Sequence, residues 1–136
     1  MLHELGIAVT AYGVLSRGLL SGSIPAERGD FRAHFPRFRS DNLARNQAPI
    51  GELQRLAADK GVTPAQLAIA WVLAKGDFLV PVLGARKRGQ LEESLAALEV
   101  ALSPDEVAQI EAFIPPGAVA GTRYDERQMR MLDSEK

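Results

Sequence analysis

The chain has 136 residues, with 16 Lys+Arg against 17 Asp+Glu and a formal net charge of −1. Such a length makes one ordinary domain, and 46% apolar residues allow a sizeable core. The charge balance gives no electrostatic reason to expect nucleic acid or an anionic membrane as a partner. There is no cysteine, so disulfides, thiol catalysis and zinc–thiolate sites are excluded, in keeping with a cytoplasmic protein. No apolar run approaches the roughly 20 residues that span a bilayer. The opening Met1-Leu2-His3-Glu4-Leu5-Gly6 lacks the basic region and apolar stretch of a secretory signal.

Taken in chain order, Gly6 is placed to end a helix whose last turn is Leu2 to Leu5. Ile7-Ala8-Val9-Thr10-Ala11-Tyr12 is short, β-branched and nearly all apolar, the pattern of a strand buried on both faces of a parallel sheet. Residues 13–46 are rich in Gly, Arg, Ser and Asn and include Pro25 and Pro36. They read as a long functional loop, anchored by Phe31, Phe35 and Phe38. Helical spacing then begins: Ile50, Leu53, Leu56 and Ala57 share a face, and Gly61 ends that helix. Thr63-Pro64-Ala65-Gln66 opens the next helix, with Thr63 as cap, Pro64 in the first turn and Gln66 closing a capping box. That helix runs to about Lys75 and is apolar almost all round, so it should be largely buried.

Phe78-Leu79-Val80-Pro81-Val82-Leu83 reads as a second strand, although Pro81 cannot donate to a ladder. Leu91, Leu95 and Leu98 mark an amphipathic helix. Ser103-Pro104-Asp105-Glu106 is a second capping box, opening a short helix through Phe113. The tail from Pro115 reads as irregular and partly mobile. Strands alternating with helices imply parallel pairing and right-handed crossovers.

Four segments carry a resemblance to the aldo-keto reductases. Ala11-Tyr12-Gly13-Val14-Leu15-Ser16-Arg17-Gly18-Leu19-Leu20 resembles that family's "AYSPLGRGLL" stretch after the seventh barrel strand, with Gly13 for the usual Ser and Val14 for the usual Pro. Residues 63–71 resemble its "TPAQLALAW" helix. Val80-Pro81-Val82-Leu83-Gly84-Ala85-Arg86 resembles the eighth strand and its phosphate loop, and residues 91–98 resemble "LEENLAAL". Gly121-Thr122-Arg123-Tyr124 resembles the tail of one bacterial branch. The implied fold is α/β: the C-terminal part of a (β/α)8 TIM barrel, comprising the last two strands with their helices and C-terminal loop. On that reading, residues 1–136 are a C-terminal portion of a single NADP-dependent oxidoreductase domain, and the barrel is incomplete.

The resemblance implies reversible hydride transfer between NADPH and an aldehyde or ketone. The family's catalytic Asp, Tyr, Lys and His lie on earlier strands, and no catalytic role passes to Tyr12, Tyr124, His3 or His34. Tyr12 would stack on the nicotinamide; the plain alternative is a core aromatic with its hydroxyl satisfied. Gly13, Leu15, Ser16, Arg17 and Gly18 would approach the pyrophosphate, glycine permitting close approach and Arg17 offering a guanidinium. Arg86, Lys87 and Arg88 head a helix, where cations oppose the macrodipole. An anion placed there removes the conflict and meets free amides, so Arg86 would contact the 2′-phosphate of NADPH, with Gly84 and Ala85 leaving room. Gln90, Glu93 and Ser94 follow at positions used around the adenosine, with Ser94 replacing the family's Asn. Tyr124 would border the substrate pocket. Trp71 and Gln66 read as structural. His3 and His34 lack partners at metal spacing.

Two function classes follow. One is the cofactor half of a reductase, requiring a missing N-terminal half or self-association through exposed sheet edges. Because two strands cannot close a barrel, the chain alone should fold poorly, aggregate or need a partner. The other is a non-catalytic module that binds a nucleotide or a protein. A small helical DNA-binding protein would rest only on the helix at 63–75, without a basic patch.

Overall fold

The computed structural model describes residues 1–23, 25 and 29–132. Two strands, β1 (Val9–Tyr12) and β2 (Leu79–Val82), pair in parallel with Val9 opposite Leu79 and Tyr12 opposite Val82. The crossover between them carries α1 (Ser40–Asp59) and α2 (Pro64–Ala74). Beyond β2 come α3 (Arg88–Ala96), α4 (Pro104–Phe113) and a short α5 (Glu126–Met129). Pro81 sits inside β2 opposite Ala11, a position open to proline because β2 is an edge strand. At the start, a 3-10 turn over His3–Leu5 ends at Gly6 in the left-handed region, as its place in the sequence suggested.

The strands differ from expectation in burial. Residues alternate between half-buried and exposed along both strands, and Tyr12 is 63% exposed. Among the described residues the sheet has two strands, with α2 packed against β2. Among the described residues no further layer covers the other face, so side chains that an apolar sequence would send into a barrel interior, Val80 and Val82 among them, meet solvent.

The core lies between helices. Leu53, Ala57, Leu67 and Ile110 form one buried cluster, with Trp71, Val62, Leu56, Leu20 and Leu102 packed around it. Leu19, Phe38 and Ile50 form a second, closed over by Leu20, Phe35 and Leu43. Of the three phenylalanines expected to anchor the long loop, Phe38 is buried, Phe35 half-buried and Phe31 exposed. The loop itself is shorter than its composition suggested, because α1 starts at Ser40, well before the Pro49 it contains. Leu43, Asn46, Ile50, Leu53 and Ala57 recur every three or four residues along one face. The polar member is satisfied by the preceding loop and the tail: Asn46 Nδ2 donates to Arg37 O (3.2 Å) and Ala120 O (3.0 Å), and Asn46 Oδ1 accepts from Ala120 N (2.8 Å).

Helix α2 matches its sequence signals. Thr63 Oγ1 accepts from Gln66 N and Gln66 Oε1 accepts from Thr63 N. Gln66 Nε2 also reaches Glu93 O at 3.3 Å, and Trp71 Nε1 donates to Glu111, so both residues serve the framework. Helix α3 forms where expected, but its leucines are bare: Leu91 and Leu95, with Leu98 in the 3-10 turn Ala97–Glu99 that follows, are each at least half exposed. The tail is irregular from Pro115 to Asp125, as expected, but it is tied to the rest of the fold. Its segment 120–124 is bonded to α1 and to the loop before it, and Asp125 caps α5.

Helix α4 opens with the anticipated box: Ser103 Oγ accepts from Glu106 N, and Ser103 N donates to Glu106 Oε2 at 2.7 Å. Lys60 Nζ donates to Glu106 Oε1 at 2.6 Å. The Lys60 ammonium, followed by the Ser103 amide, holds the Glu106 carboxyl below its ordinary value. A depressed folded-state value means that this stabilisation is present above the unfolded range, about 4.3 for Glu, and is lost as pH falls through the folded value. Urea unfolding should therefore show the wild type more stable than Glu106→Gln at neutral pH, with the gap closing as the pH drops below 4 or so. A gap independent of pH would contradict the assignment.

Candidate functional site

A cleft of about 910 Å3 opens at the carboxyl ends of β1 and β2. One wall is the turn after β1, with Gly13, Leu15, Arg17, Gly18 and Ser23. The other is the turn after β2, with Val82, Leu83, Gly84, Arg86 and Gln90. Asp30, Phe31 and Arg32 close one side.

The first wall is conformationally costly. Ser16 (φ 48°) and Arg17 (φ 56°) are consecutive non-glycine residues in the left-handed region. Each such residue costs on the order of 1–3 kcal/mol and persists only where its surroundings over-determine it. Arg32 supplies part of that constraint. Its Nη1 donates to Arg17 O (3.0 Å), Ser23 O (3.1 Å) and Ser23 Oγ (3.1 Å), while Nε and Nη2 grip the Asp30 carboxylate. The bond to Asp30 raises the Arg32 pKa further above its usual range. Gly18 has φ +92°, and a Cβ there would lie 2.8 Å from Arg32 Nη1. Glycine is what lets Arg32 lie across the turn.

The second wall is a helix start. Arg86 N and Lys87 N both donate to Gln90 Oε1, at 2.9 and 3.2 Å. A side-chain carbonyl thus takes two amides just ahead of α3, while Arg88 and Gly89 contribute the first-turn amides where the macrodipole favours negative charge. Arg88 Nε is turned to Glu92 (2.7 Å). Among the described residues Arg86 has no carboxylate partner, and it lines the cleft.

The cleft gathers Gly13, Leu15, Arg17, Gly18, Gly84, Arg86 and Gln90. Tyr12, Ser16 and Tyr124 lie instead around an adjoining cavity of about 420 Å3, shared with Arg37 and Arg123. Arg17 borders both cavities, but its guanidinium faces the tail. It lies 3.9 Å from the Phe35 ring centre and 4.7 Å from that of Tyr124, and Nη1 donates to Arg123 O at 2.8 Å. Ala85 and Ser94 face a smaller apolar cavity of about 200 Å3 beneath the α3 leucines. Ser94 Oγ donates to Gln90 O at 2.8 Å, and Glu93 is half-buried on α3, outside the cleft lining. His3 lies 3.8 Å from Asp77 and edge-on to Phe78, and His34 is exposed. Sequence reasoning missed Asp30 and Arg32. Their only signal was an Asp-x-Arg pair in a polar loop, and that spacing is common.

Parallel strands joined by a helical crossover, with a cleft at their carboxyl ends, fit the closing part of a (β/α)8 barrel. Comparison with known proteins agrees. The aldo/keto reductase family model matches residues 1–115, so the chain belongs to that family. It is 38% identical over 128 residues to a probable aldo-keto reductase 1 of Glycine max, covering 91% of this chain and 37% of that protein. It is 34% identical over 126 residues to the Schizosaccharomyces pombe aldo-keto reductase yakc, whose name specifies NADP(+), covering 90% of this chain and 37% of that one. Among solved structures it resembles a glycerol dehydrogenase of Gluconobacter oxydans, with TM-score 0.72 and 30% identity, covering 85% of this chain and 37% of the other. The chain thus spans well under half the length of these relatives.

Proposed function

We propose that this chain supplies the NADP(H)-binding wall of an aldo-keto reductase, which interconverts an aldehyde or ketone with its alcohol. The observation that carries the reading is Arg86, lining a cleft between two loops at the carboxyl ends of adjacent parallel strands. The residues suit the dinucleotide. The cleft falls within the roughly 300–1,000 Å3 of small-molecule sites. Gly84 has open space where a Cβ would stand, and the amides ahead of α3 already hold an oxygen acceptor, Gln90 Oε1. Gly13 and Gly18 bring backbone close to the pyrophosphate, Arg86 pairs with the 2′-phosphate, and Gln90 sits beside the adenosine. Tyr12, at the end of β1, offers a ring face to the nicotinamide. When bound, NADPH supplies the hydride. The chain's residues bind and orient it, and the acid–base groups that complete catalysis come from other strands of the barrel.

Those strands join the two open edges of the β1–β2 sheet and cover the leucines of α3, either as a further segment of the same barrel or through association of copies. Titration of the folded protein with NADPH tests the reading. Saturable binding is expected, weakened roughly 10- to 100-fold by Arg86→Ala, the effect of losing one charge-assisted contact worth about 1.5–3 kcal/mol. Unchanged affinity in that variant would overturn it. Binding that still yields no carbonyl-dependent turnover once the remaining barrel strands are supplied would mark the chain as a nucleotide-binding module.

A further inference from the structure

The contacts of Arg17 and Arg123 form a continuous link from the C-terminal tail to the end of β1. Arg17 projects from the strained turn after β1. Its guanidinium lies between Phe35 and Tyr124 and bonds to the carbonyl of Arg123, 106 residues away. Phe35 and Tyr124 also meet edge-on, with ring centres 6.3 Å apart. The Arg123 side chain in turn donates from Nη1 to the Tyr12 hydroxyl at 3.1 Å. We infer that Arg17 is a latch for the tail, and that Arg123, held in place by that latch, is a positioning residue for the Tyr12 ring.

The magnitudes rank the two links. Around Arg17, two aromatic faces and a carbonyl satisfy one planar cation in a half-buried place, where cation–π and charge-assisted contacts are at their stronger end. The Arg123–Tyr12 bond is exposed and weaker on its own. Its effect is orientational: Tyr12 is 63% exposed and has little packing to fix its ring, so a guanidinium on its hydroxyl restricts where the ring face points. The chain of contacts also explains why Arg17 tolerates a positive φ. Glycine would adopt that backbone without strain but could not hold the tail. The consequence for nicotinamide seating rests on the proposed function; the latch itself does not.

Hydrogen exchange of the full chain separates the two. Arg17→Gly relieves backbone strain and removes the clamp. It should speed amide exchange in residues 119–124 and 13–16 together, by about tenfold or more, the factor that a cation–π contact and a charge-assisted bond sustain between them. Arg17→Lys should give an intermediate rise, keeping the charge but losing the flat fork. Tyr124→Leu, a milder change, should raise exchange in both segments as well. Tail exchange unchanged in Arg17→Gly would overturn the latch, leaving Asn46 as what holds the tail. For the positioning step, NADPH affinity should fall in Arg123→Met and in Tyr12→Phe, and the double variant should be no weaker than the worse single. Additive losses would overturn it. Absence of NADPH binding to the wild type would remove the proposed function and the positioning step while leaving the exchange result to decide the latch.

Discussion

Replacing Leu67 by alanine should cost about 2–5 kcal/mol of stability, the range for truncating a fully buried leucine. Leu67 has no solvent exposure, and it joins α2 to Leu53 and Ala57 of α1 and to Ile110 of α4. Trp71, packed against this cluster, is held by its bond to Glu111. The cavity would therefore collapse poorly, which places the cost toward the upper end. Leu91→Ala removes the same atoms from a half-exposed site on α3 and should cost no more than about 0.5 kcal/mol if nothing covers that face. Urea unfolding of both variants checks the contrast. A small loss at Leu67 would mean that the core lies elsewhere, and a large loss at Leu91 would mean that a partner surface packs on α3.

Gly121→Ala is the second change expected to act strongly, at a site that no composition rule marks. Gly121 has φ +83°, and a Cβ there would lie 2.8 Å from Pro36 C and 2.9 Å from Arg37 N. Those atoms are backbone, in a turn pinned by Phe38 in the core, and cannot swing aside. The left-handed backbone costs about 1–2 kcal/mol for a residue with a Cβ, and overpacking adds about 1–3 kcal/mol. The tail should respond by lifting off, losing the Arg37 Nε bond to Gly121 O and the paired bonds of Asn46 to Ala120. Accelerated exchange or proteolysis across 119–124, with a lowered denaturant midpoint, is the expected result. Wild-type behaviour in both measurements would contradict the contact geometry.

These two sites also show what was legible in the sequence. Helices α2 and α4 were readable because their start signals are local: Thr63 with Gln66 and Ser103 with Glu106 satisfy each other within one turn. The parallel pairing of β1 and β2 followed from strand–helix alternation. The first turns of α1 were not readable, because they are rich in Ser, Asp and Asn, residues that favour caps and turns. They are helical here because Asn46 finds its partners at Arg37 and, 74 residues on, at Ala120. The order in the tail has the same non-local cause. Burial of the strands was misjudged since a strand's pattern reports how many neighbours it is suited to, not how many it has. Within the cleft, Gly84 and Arg86 stood out through their place between a strand and a helix start. Asp30 and Arg32 did not, because their importance comes from the backbone that Arg32 spans, Arg17 O to Ser23 O.

On the proposed function, Arg86, beside the amides heading α3, selects the 2′-phosphate of a dinucleotide. NADPH and NADH differ in that phosphate alone, so parallel calorimetric titrations of one folded preparation isolate it. Saturable binding with NADPH favoured is expected, and in Arg86→Ala that preference should shrink while NADH affinity barely moves. Equal affinity for the two nucleotides in the wild type, or a preference that survives Arg86→Ala, would contradict it.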